Sequence, residues 1–370
     1  MKISPFRIEQ YYAVHEFTAP HMLSSSDAES VAVADLLALE PDAAERLFAQ
    51  RLGYTESAGS PELREAASAL YGTTNPGDVV VVAAAEEGIF AAYHALLQPG
   101  DHVVVETPCY ESAFEVARSA GAEVTRWHRS AAAGWAHDLD ALEAALRPDT
   151  RLVYINTPHN PTGLLMPRAV LDRIVELCAA RGAWLFCDEV YRELEHDPDD
   201  LLPAAVDLYD RALSLGSMSK TYGLPGLRLG WLASRDRTAL ARIVELKHYT
   251  TICSSAPSEL LSALALRHRG VFAGRSREIV LANLVVLDAF LERHAERLSW
   301  VRPNASTIGF VRVAGLEDTA TFCEQLVADA GVLLLPGTVY DEPTHVRLGF
   351  GRASMPEALG LFEAWIETRS

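Results

Sequence analysis

Short apolar runs that alternate with helical patterns limit the possible folds of this 370-residue chain more than any other feature. Several of the runs are almost continuous in Val, Leu and Ile, as expected of strands that are covered on both faces. Alternating strands and helices are typical of a mainly parallel, doubly wound sheet. We predict seven strands, at Val79–Ala83, His102–Glu106, Glu123–Trp127, Arg151–Asn156, Ala183–Asp188, Ala212–Ser217 and Leu227–Ala233.

Helical periodicity fills most of the gaps between these strands. It is clearest at Glu87–Leu97, Ser112–Ser119, Leu139–Leu146 and Arg168–Arg181. No helix-length pattern separates the last two strands, so we expect the seventh strand to run antiparallel. The sequence therefore predicts an α/β fold built on a doubly wound, mainly parallel, seven-stranded sheet.

After Ala233 the pattern changes to longer helices with a few scattered strands. The predicted helices include Thr238–Lys247, Ser258–Arg267 and a long one at Ser276–Arg297. We predict two domains: a large one over residues 40–270, and a smaller α+β domain formed by residues 1–39 and 271–370.

The segment Ser26-Asp27-Ala28-Glu29 has the S-x-x-E form of a capping box. Because an apolar periodic stretch follows it, this motif predicts a helix over Ala28–Leu39. The alternative is that Asp27 or a neighbouring serine faces the distal group of a substrate.

Composition excludes several classes of protein. Lys and Arg total 32 against 50 Asp and Glu, a formal charge of −18, which argues against binding nucleic acid. No apolar run approaches the ~18–20 residues of a membrane helix, and Met1–Gln10 has no signal-peptide pattern. The five scattered cysteines lack a C-x-x-C pair, and the histidines lack H-E-x-x-H spacing. We expect a cytoplasmic protein without disulfides, catalytic metal, nucleic-acid partner or membrane contact.

Polar side chains follow the predicted strands at the edge where ligands bind in open α/β sheets. These side chains are Asn160, Asp188, Tyr191, Ser217, Lys220 and Arg228. Together they suit pyridoxal phosphate. A lysine amine can hold its aldehyde, and a buried Asp can keep its pyridine nitrogen protonated. Tyr and Asn can donate to the ring hydroxyl, while Ser, Arg and helix N-terminal amides bind phosphate.

The ordered motifs from about Leu52 to Arg352 resemble those of class I/II aminotransferases, which are fold-type I pyridoxal-phosphate enzymes. The resemblance implies that Lys220 forms the Schiff base, that Asp188 pairs with the pyridine nitrogen, and that Tyr191 completes the catalytic set. It further implies cofactor-binding roles for Ala85, Glu86, Tyr110, Asn160, Ser217 and Arg228.

Two more roles come from the same resemblance. Tyr54, in Gly53-Tyr54-Thr55, resembles the tyrosine that reaches the phosphate of the neighbouring subunit, which implies a homodimer. Arg347, in His345-Val346-Arg347-Leu348-Gly349-Phe350, resembles the arginine that binds the substrate α-carboxylate, and Asn160 is expected to bind substrate as well as cofactor. The expected activity is transfer of the amino group of a free L-amino acid to a 2-oxo acid.

The chain departs from the usual family pattern at two places. Ala84 stands where the phosphate turn usually has Gly, and residues 23–27 replace the usual glycine-rich loop over the substrate. The N-terminal region weakly resembles cyclases that make cyclic arginine derivatives such as capreomycidine. Two alternative activities stay open: β-elimination, and cyclisation of an amino acid such as an arginine derivative. Both share their first steps with transamination.

Overall fold

The computed structural model describes residues 3–369. Up to residue 233, its helices and strands are α1 (Arg7–His15), β1 (His21–Met22), α2 (Val33–Leu37), α3 (Ala43–Ala49), α4 (Pro61–Ser68), β2 (Val79–Val82), α5 (Ala84–Leu96), β3 (His102–Thr107), α6 (Ser112–Ser119), β4 (Glu123–His128), α7 (Leu139–Ala145), β5 (Thr150–Asn156), α8 (Arg168–Arg181), β6 (Trp184–Asp188), α9 (Ala205–Leu208), β7 (Ala212–Ser217) and β8 (Gly230–Ala233).

Longer helices dominate the remainder of the chain. Its elements are α10 (Arg237–Lys247), α11 (Ala256–Arg267), α12 (Arg269–Arg293), β9 (Leu298–Trp300), β10 (Ile308–Val313), α13 (Thr319–Ala330), β11 (Val332–Leu333), β12 (Leu335–Pro336), β13 (His345–Gly349) and α14 (Met355–Glu367). No helix within residues 3–369 is long and apolar enough to span a bilayer.

The central sheet, as described within residues 3–369, has seven strands in the order β2-β8-β7-β6-β5-β3-β4. Strand β8 is antiparallel to both of its neighbours, whereas the pairings among β3 to β7 are parallel. This confirms the predicted doubly wound sheet and its antiparallel seventh strand. The core strands are apolar because helices cover both faces, and all four valines of β2 are buried.

Parallel strands deliver their carboxyl ends to one edge of this sheet. Asn156 ends β5, Asp188 ends β6 and Ser217 ends β7. The register pairs Asn156 with Asp188, so the two side chains are neighbours. The fold thereby gathers the predicted polar residues at a single edge.

A second, antiparallel sheet of order β12-β13-β10-β9 forms the smaller α+β unit. Its apolar cluster joins helices α12, α13 and α14 and includes Leu23 from the N-terminal segment. Leu36, in contrast, packs with side chains of α4, β2 and β8. The exact division at residues 39–40 and 270–271 stays a prediction.

The predicted helix Ala28–Leu39 is wrong: the helix in this region is α2, which begins at Val33. The capping-box residues have other partners. The Ala28 and Glu29 amides donate to the carbonyls of Lys220 and Gly351. Glu29 also accepts a hydrogen bond from the Ala353 amide at 2.8 Å. Because these contacts join distant parts of the chain, the local motif could not reveal them.

The long helix α12 starts at Arg269 and ends at Arg293, instead of running from Ser276 to Arg297. Gly270 and Gly274 lower the helix propensity of its first two turns, which hid them in the sequence. Burial of Phe272 and Ala273 compensates for that propensity.

Candidate active site

A cavity of about 500 Å³ lies at the carboxyl edge of the central sheet. It is lined by ten of the eleven residues that the sequence predicted, namely Ala85, Glu86, Tyr110, Asn160, Asp188, Tyr191, Ser217, Lys220, Arg228 and Arg347. The eleventh, Tyr54, lies outside this lining, and 91% of its surface is exposed.

Lys220 follows β7 and projects its amine into the cavity. The amine donates a hydrogen bond to the Ser26 hydroxyl at 2.8 Å. Burial lowers the pKa of the Lys220 amine below its ordinary value, although Asp27 opposes the shift. A lowered pKa leaves more of the amine unprotonated near neutral pH, which is the form that acts as nucleophile and base.

Asp188 ends β6 and is 8% exposed. Burial raises the pKa of its carboxyl group to about 6, against the opposing effects of the Val190 amide and the Tyr154 hydroxyl. Those two groups donate hydrogen bonds to Asp188 Oδ1 at 3.2 Å and Oδ2 at 2.9 Å. A cation beside this carboxylate would offset the cost of its burial.

Tyr191 and Asn160 bring hydrogen-bond donors to the cavity wall. The Tyr191 hydroxyl is buried and has no hydrogen-bond partner among residues 3–369. Asn160 Oδ1 accepts from the Tyr340 hydroxyl at 3.0 Å, so the oxygen is engaged and the side-chain NH2 group can serve as a donor. Since a buried unpaired hydroxyl is costly, an acceptor inside the cavity would stabilise it.

The N-terminus of α5, Ser217, Ser219 and Arg228 form a cradle for an anion. The Ala85 and Glu86 amides lie in the first turn of α5, where the helix dipole favours negative charge. Arg228 has a left-handed φ of 49° and forms no ion pair among residues 3–369. A Cβ on Gly230 would lie 3.4 Å from the Ala85 nitrogen and 3.2 Å from the Ala84 carbonyl carbon, so glycine keeps this approach open.

Glu86 also brings a carboxyl group close to the cradle. Burial raises the pKa of this group to about 7, while the Ser112 hydroxyl donates to it at 3.1 Å. A carboxyl group that is partly protonated at neutral pH repels an anion less than an ionised one.

Arg347 projects from β13 and is 1% exposed. Its terminal nitrogens donate to the hydroxyls of Tyr12 and Tyr340, each at 2.6 Å. Its Nε has no partner among residues 3–369. The guanidinium is thus held rigidly, and a planar fork of this kind suits a carboxylate.

Acidic side chains from the N-terminal segment also line the cavity. Glu9 lies on α1 and accepts from the Tyr110 hydroxyl, and Glu16 directly follows that helix. Asp27 forms an ion pair with Arg352 at 2.9 Å. Partial burial, followed by repulsion from Glu9, raises the pKa of Glu16. The surplus of carboxylates favours a cationic group.

Sequence reasoning missed most of these N-terminal contributors. The missed lining residues are Phe6, Glu9, Tyr12, Glu16, Met22, Ile89, Asn156, Val190, Ser219, Pro225 and Arg352. Ser219 had a local signal, since it lies between Ser217 and Lys220 in the motif after β7. The residues of α1 had none, because only tertiary contacts place this helix over the sheet edge.

The residues present fit pyridoxal phosphate. The anion cradle suits its phosphate, the buried Asp188 suits a protonated ring nitrogen, and the unpaired Tyr191 hydroxyl suits the ring oxygen. The Lys220 amine lies in the same cavity as all three groups. Fold and cavity together define an enzyme that uses this cofactor.

Comparison with known proteins assigns the family. The profile of the family described as aminotransferase class I and II matches residues 23–359. The chain belongs to this family and is a pyridoxal-phosphate-dependent aminotransferase. A crystal structure of a pyridoxal-phosphate-dependent aminotransferase from Streptococcus suis is similar with a TM-score of 0.94 and 32% identity, covering 100% of this chain and 99% of that one.

Curated relatives carry several different activities. Capreomycidine synthase of Streptomyces vinaceus is 32% identical, covering 95% of this chain and 93% of the relative. Aspartate aminotransferase of Thermotoga maritima is 30% identical, with coverages of 85% and 84%. Arginine–pyruvate transaminase of Pseudomonas aeruginosa is 30% identical, with coverages of 75% and 71%. Similarity alone therefore leaves the amino-acid substrate open.

Proposed function

We propose that this aminotransferase takes its amino group from an L-amino acid with a cationic side chain, such as arginine. The observation that carries the proposal is the Glu16 carboxylate, which lines the cavity beside Glu9 and forms no ion pair within residues 3–369. A guanidinium or ammonium group placed there would relieve the repulsion between the two carboxylates.

The proposal gives each predicted cofactor ligand in the cavity its own role. Lys220 would hold the aldehyde, Asp188 the ring nitrogen, and Tyr191 with Asn160 the ring oxygen. The remaining predicted ligands would hold the phosphate and cover the ring: Ala85, Glu86, Ser217, Arg228 and Tyr110. The bound cofactor supplies an electron sink that stabilises negative charge on the substrate α-carbon.

Lys220 is the proposed proton carrier. When it is not holding the cofactor, Nζ would accept the proton from the substrate α-carbon and later give up a proton. The Ser26 hydroxyl accepts from Nζ at 2.8 Å and would keep the free amine within the cavity. The lowered pKa of Lys220 supports this role, because the amine must be unprotonated to act as a base.

Arg347 is the proposed ligand of the substrate α-carboxylate. The hydrogen bonds that its guanidinium donates to the hydroxyls of Tyr12 and Tyr340 fix the plane of the group. With the α-carboxylate at Arg347, a long side chain could extend toward Glu9 and Glu16, which also line the cavity. The two charged ends of a basic amino acid would thus meet groups of opposite charge.

Discrimination between arginine and citrulline tests the proposed substrate class. Citrulline has nearly the same shape but a neutral urea end, so the comparison isolates charge. We expect kcat/KM with a 2-oxo acid acceptor to favour arginine by about 10- to 100-fold, since a charge-assisted hydrogen bond contributes ~1.5–3 kcal/mol.

Glu16→Gln should remove most of that preference and leave the value for citrulline unchanged. The matched control is Glu324→Gln, which removes a carboxylate paired with His15 at the end of α1 but outside the cavity lining. Equal rates for arginine and citrulline in the unmodified enzyme, or a preference for aspartate, would overturn the proposed substrate class.

Product analysis separates transamination from the alternative reactions. Transamination needs a 2-oxo acid acceptor for turnover, whereas elimination or cyclisation turns over without an acceptor. The similarity to capreomycidine synthase makes this comparison necessary. A cyclic or eliminated product that accumulates from arginine-derived substrates when no 2-oxo acid acceptor has been added would favour the lyase or cyclase alternative.

The proposed working unit is a homodimer in the cytoplasm. Tyr54 and Tyr249 are each 91% exposed, and Phe48 and Leu52 are also exposed. The Thr55 hydroxyl donates to the Ser254 carbonyl at 3.1 Å, so the segments that carry the two tyrosines meet. Exposed aromatic groups at one place support an interface. All five cysteines are unpaired, which supports a reducing compartment.

A further inference from the structure

Tyr154 contacts Asp188 but does not itself line the cavity. It lies on β5, next to β6, and its hydroxyl donates to Asp188 Oδ2 at 2.9 Å. Tyr154 is 1% exposed and packs edge-on against Phe186. Because the tyrosine lies outside the cavity lining, any influence on the reaction must pass through Asp188.

The hydrogen bonds to Asp188 leave part of each carboxylate oxygen free. The Val190 amide bonds Oδ1, and the Tyr154 hydroxyl bonds Oδ2. Each oxygen has a second lone pair that can face a ring in the cavity. Both donors favour the ionised carboxylate, whereas burial favours the neutral acid. The Tyr154 bond therefore opposes the effect of burial at this position.

We propose that Tyr154 is a positioning residue that acts through Asp188: its hydroxyl holds Oδ2 and keeps the shared proton on the pyridine nitrogen of the cofactor. The inference rests on the proposed role of Asp188. The proton lies either on the ring nitrogen, opposite a carboxylate, or on the carboxyl oxygen, opposite a neutral nitrogen. Moving it between the two sites changes no total charge.

Loss of the Tyr154 hydroxyl should shift this proton toward Asp188. A hydrogen bond to a charged group corresponds to a pKa change of about one to two units, so Tyr154→Phe should raise the proton affinity of the carboxylate by that amount. A ring with less positive charge withdraws electrons less strongly. We expect kcat to fall by about 10- to 100-fold while KM stays unchanged, because Arg347 is not altered.

Tyr93→Phe is a matched control. Tyr93 is also fully buried and also packs edge-on against Phe186, but its hydroxyl donates to the Ala113 carbonyl at 2.7 Å. Both variants remove one buried hydroxyl from the same apolar cluster. A merely structural effect should therefore appear in both variants, whereas an effect on the ring proton should appear only in Tyr154→Phe.

The decisive readout is the ¹⁵N chemical shift of the ring nitrogen in holoenzyme loaded with ¹⁵N-labelled pyridoxal phosphate. It needs no substrate and reports directly where the proton lies. We expect a protonated nitrogen in the unmodified enzyme and in Tyr93→Phe, and a shift toward the neutral nitrogen in Tyr154→Phe. An unchanged shift in Tyr154→Phe would overturn the proposed role of Tyr154.

A neutral nitrogen in the unmodified enzyme would instead overturn the role of Asp188, so the two failures are distinguishable. If Tyr154→Phe does not fold, 3-fluorotyrosine at position 154 keeps the shape of the side chain and strengthens its donor. That substitution should leave the ring nitrogen protonated, with the ¹⁵N shift of the unmodified enzyme. A shift toward the neutral nitrogen would contradict the proposal.

Discussion

Arg347 reaches the cavity from β13, yet its surroundings come from distant parts of the chain. Its guanidinium donates to Tyr12 from α1, to the Ser24 carbonyl at 2.9 Å and to Tyr340. It also contacts Asn160 Oδ1 at 3.3 Å. These contacts fix the orientation of the fork before substrate arrives, which lowers the ordering cost of binding.

Arg347→Lys should raise KM for the amino-acid substrate by about 10- to 100-fold, because a point charge replaces a bidentate fork. Steady-state kinetics over a wide substrate range would measure the change. Arg312→Lys is the control, since Arg312 is exposed on the neighbouring strand β10. Unaltered KM in Arg347→Lys would remove this residue from carboxylate binding.

Residues that follow strands could be predicted, whereas those that approach the cavity from α1 could not. Lys220 and Asp188 sit at strand ends, and topology alone gathers strand ends at one edge. Glu16 depends on how the N-terminal segment crosses the molecule, through contacts such as that between Glu29 and Gly351. Short-range sequence patterns carry no information about such contacts.

At the scale of elements, the start of α5 combines an anion cradle with a strained residue. Ala84 adopts a φ of 66° at the first position of this helix. A left-handed conformation costs a non-glycine residue about 1–2 kcal/mol. Ala84, which replaces the glycine usual in this family, therefore lies at a position whose backbone conformation favours glycine.

Ala84→Gly should stabilise the protein by about 0.5–1 kcal/mol, the reverse of the usual effect of glycine in a helix. Ala95→Gly, within the same helix, should destabilise it by about 1 kcal/mol. Denaturant unfolding of both variants would measure the two changes. Destabilisation by Ala84→Gly as large as that by Ala95→Gly would show that Ala84 carries no strain.

The predicted strands of the large sheet, and most of the helices that cover it, match the structure because their buried residues recur with a regular period. Helix α8 was predicted with its exact bounds, and Gly182, at a φ of 62°, ends it. Strand β8 is shorter than predicted, since residues 225–227 form a turn and Arg228 is left-handed. Local pattern could not show that the chain bends there to bring Arg228 to the anion cradle.

At the scale of the whole molecule, the proposed role of Tyr54 at the phosphate of the neighbouring subunit requires a dimer. We expect sedimentation equilibrium to give roughly twice 40.4 kDa. Tyr54→Phe should leave the dimer intact and weaken retention of the cofactor by about 3- to 10-fold, the value of one hydrogen bond. A monomer with full activity would contradict the cross-subunit role of Tyr54.

The assignment of Lys220 as the residue that holds the cofactor can be tested directly, because the chain has few lysines. The chain has three lysines, Lys2, Lys220 and Lys247. Lys247 is fully buried and donates to the Val81 carbonyl at 2.7 Å, away from the cavity lining.

Borohydride reduction of the holoenzyme, followed by proteolysis and mass spectrometry, would locate the lysine that carries the cofactor. The account predicts the added mass on the peptide that contains Lys220, and its loss together with activity in Lys220→Ala. A label on the peptide of Lys2 or Lys247, or a Lys220→Ala variant that remains coloured and active, would contradict it.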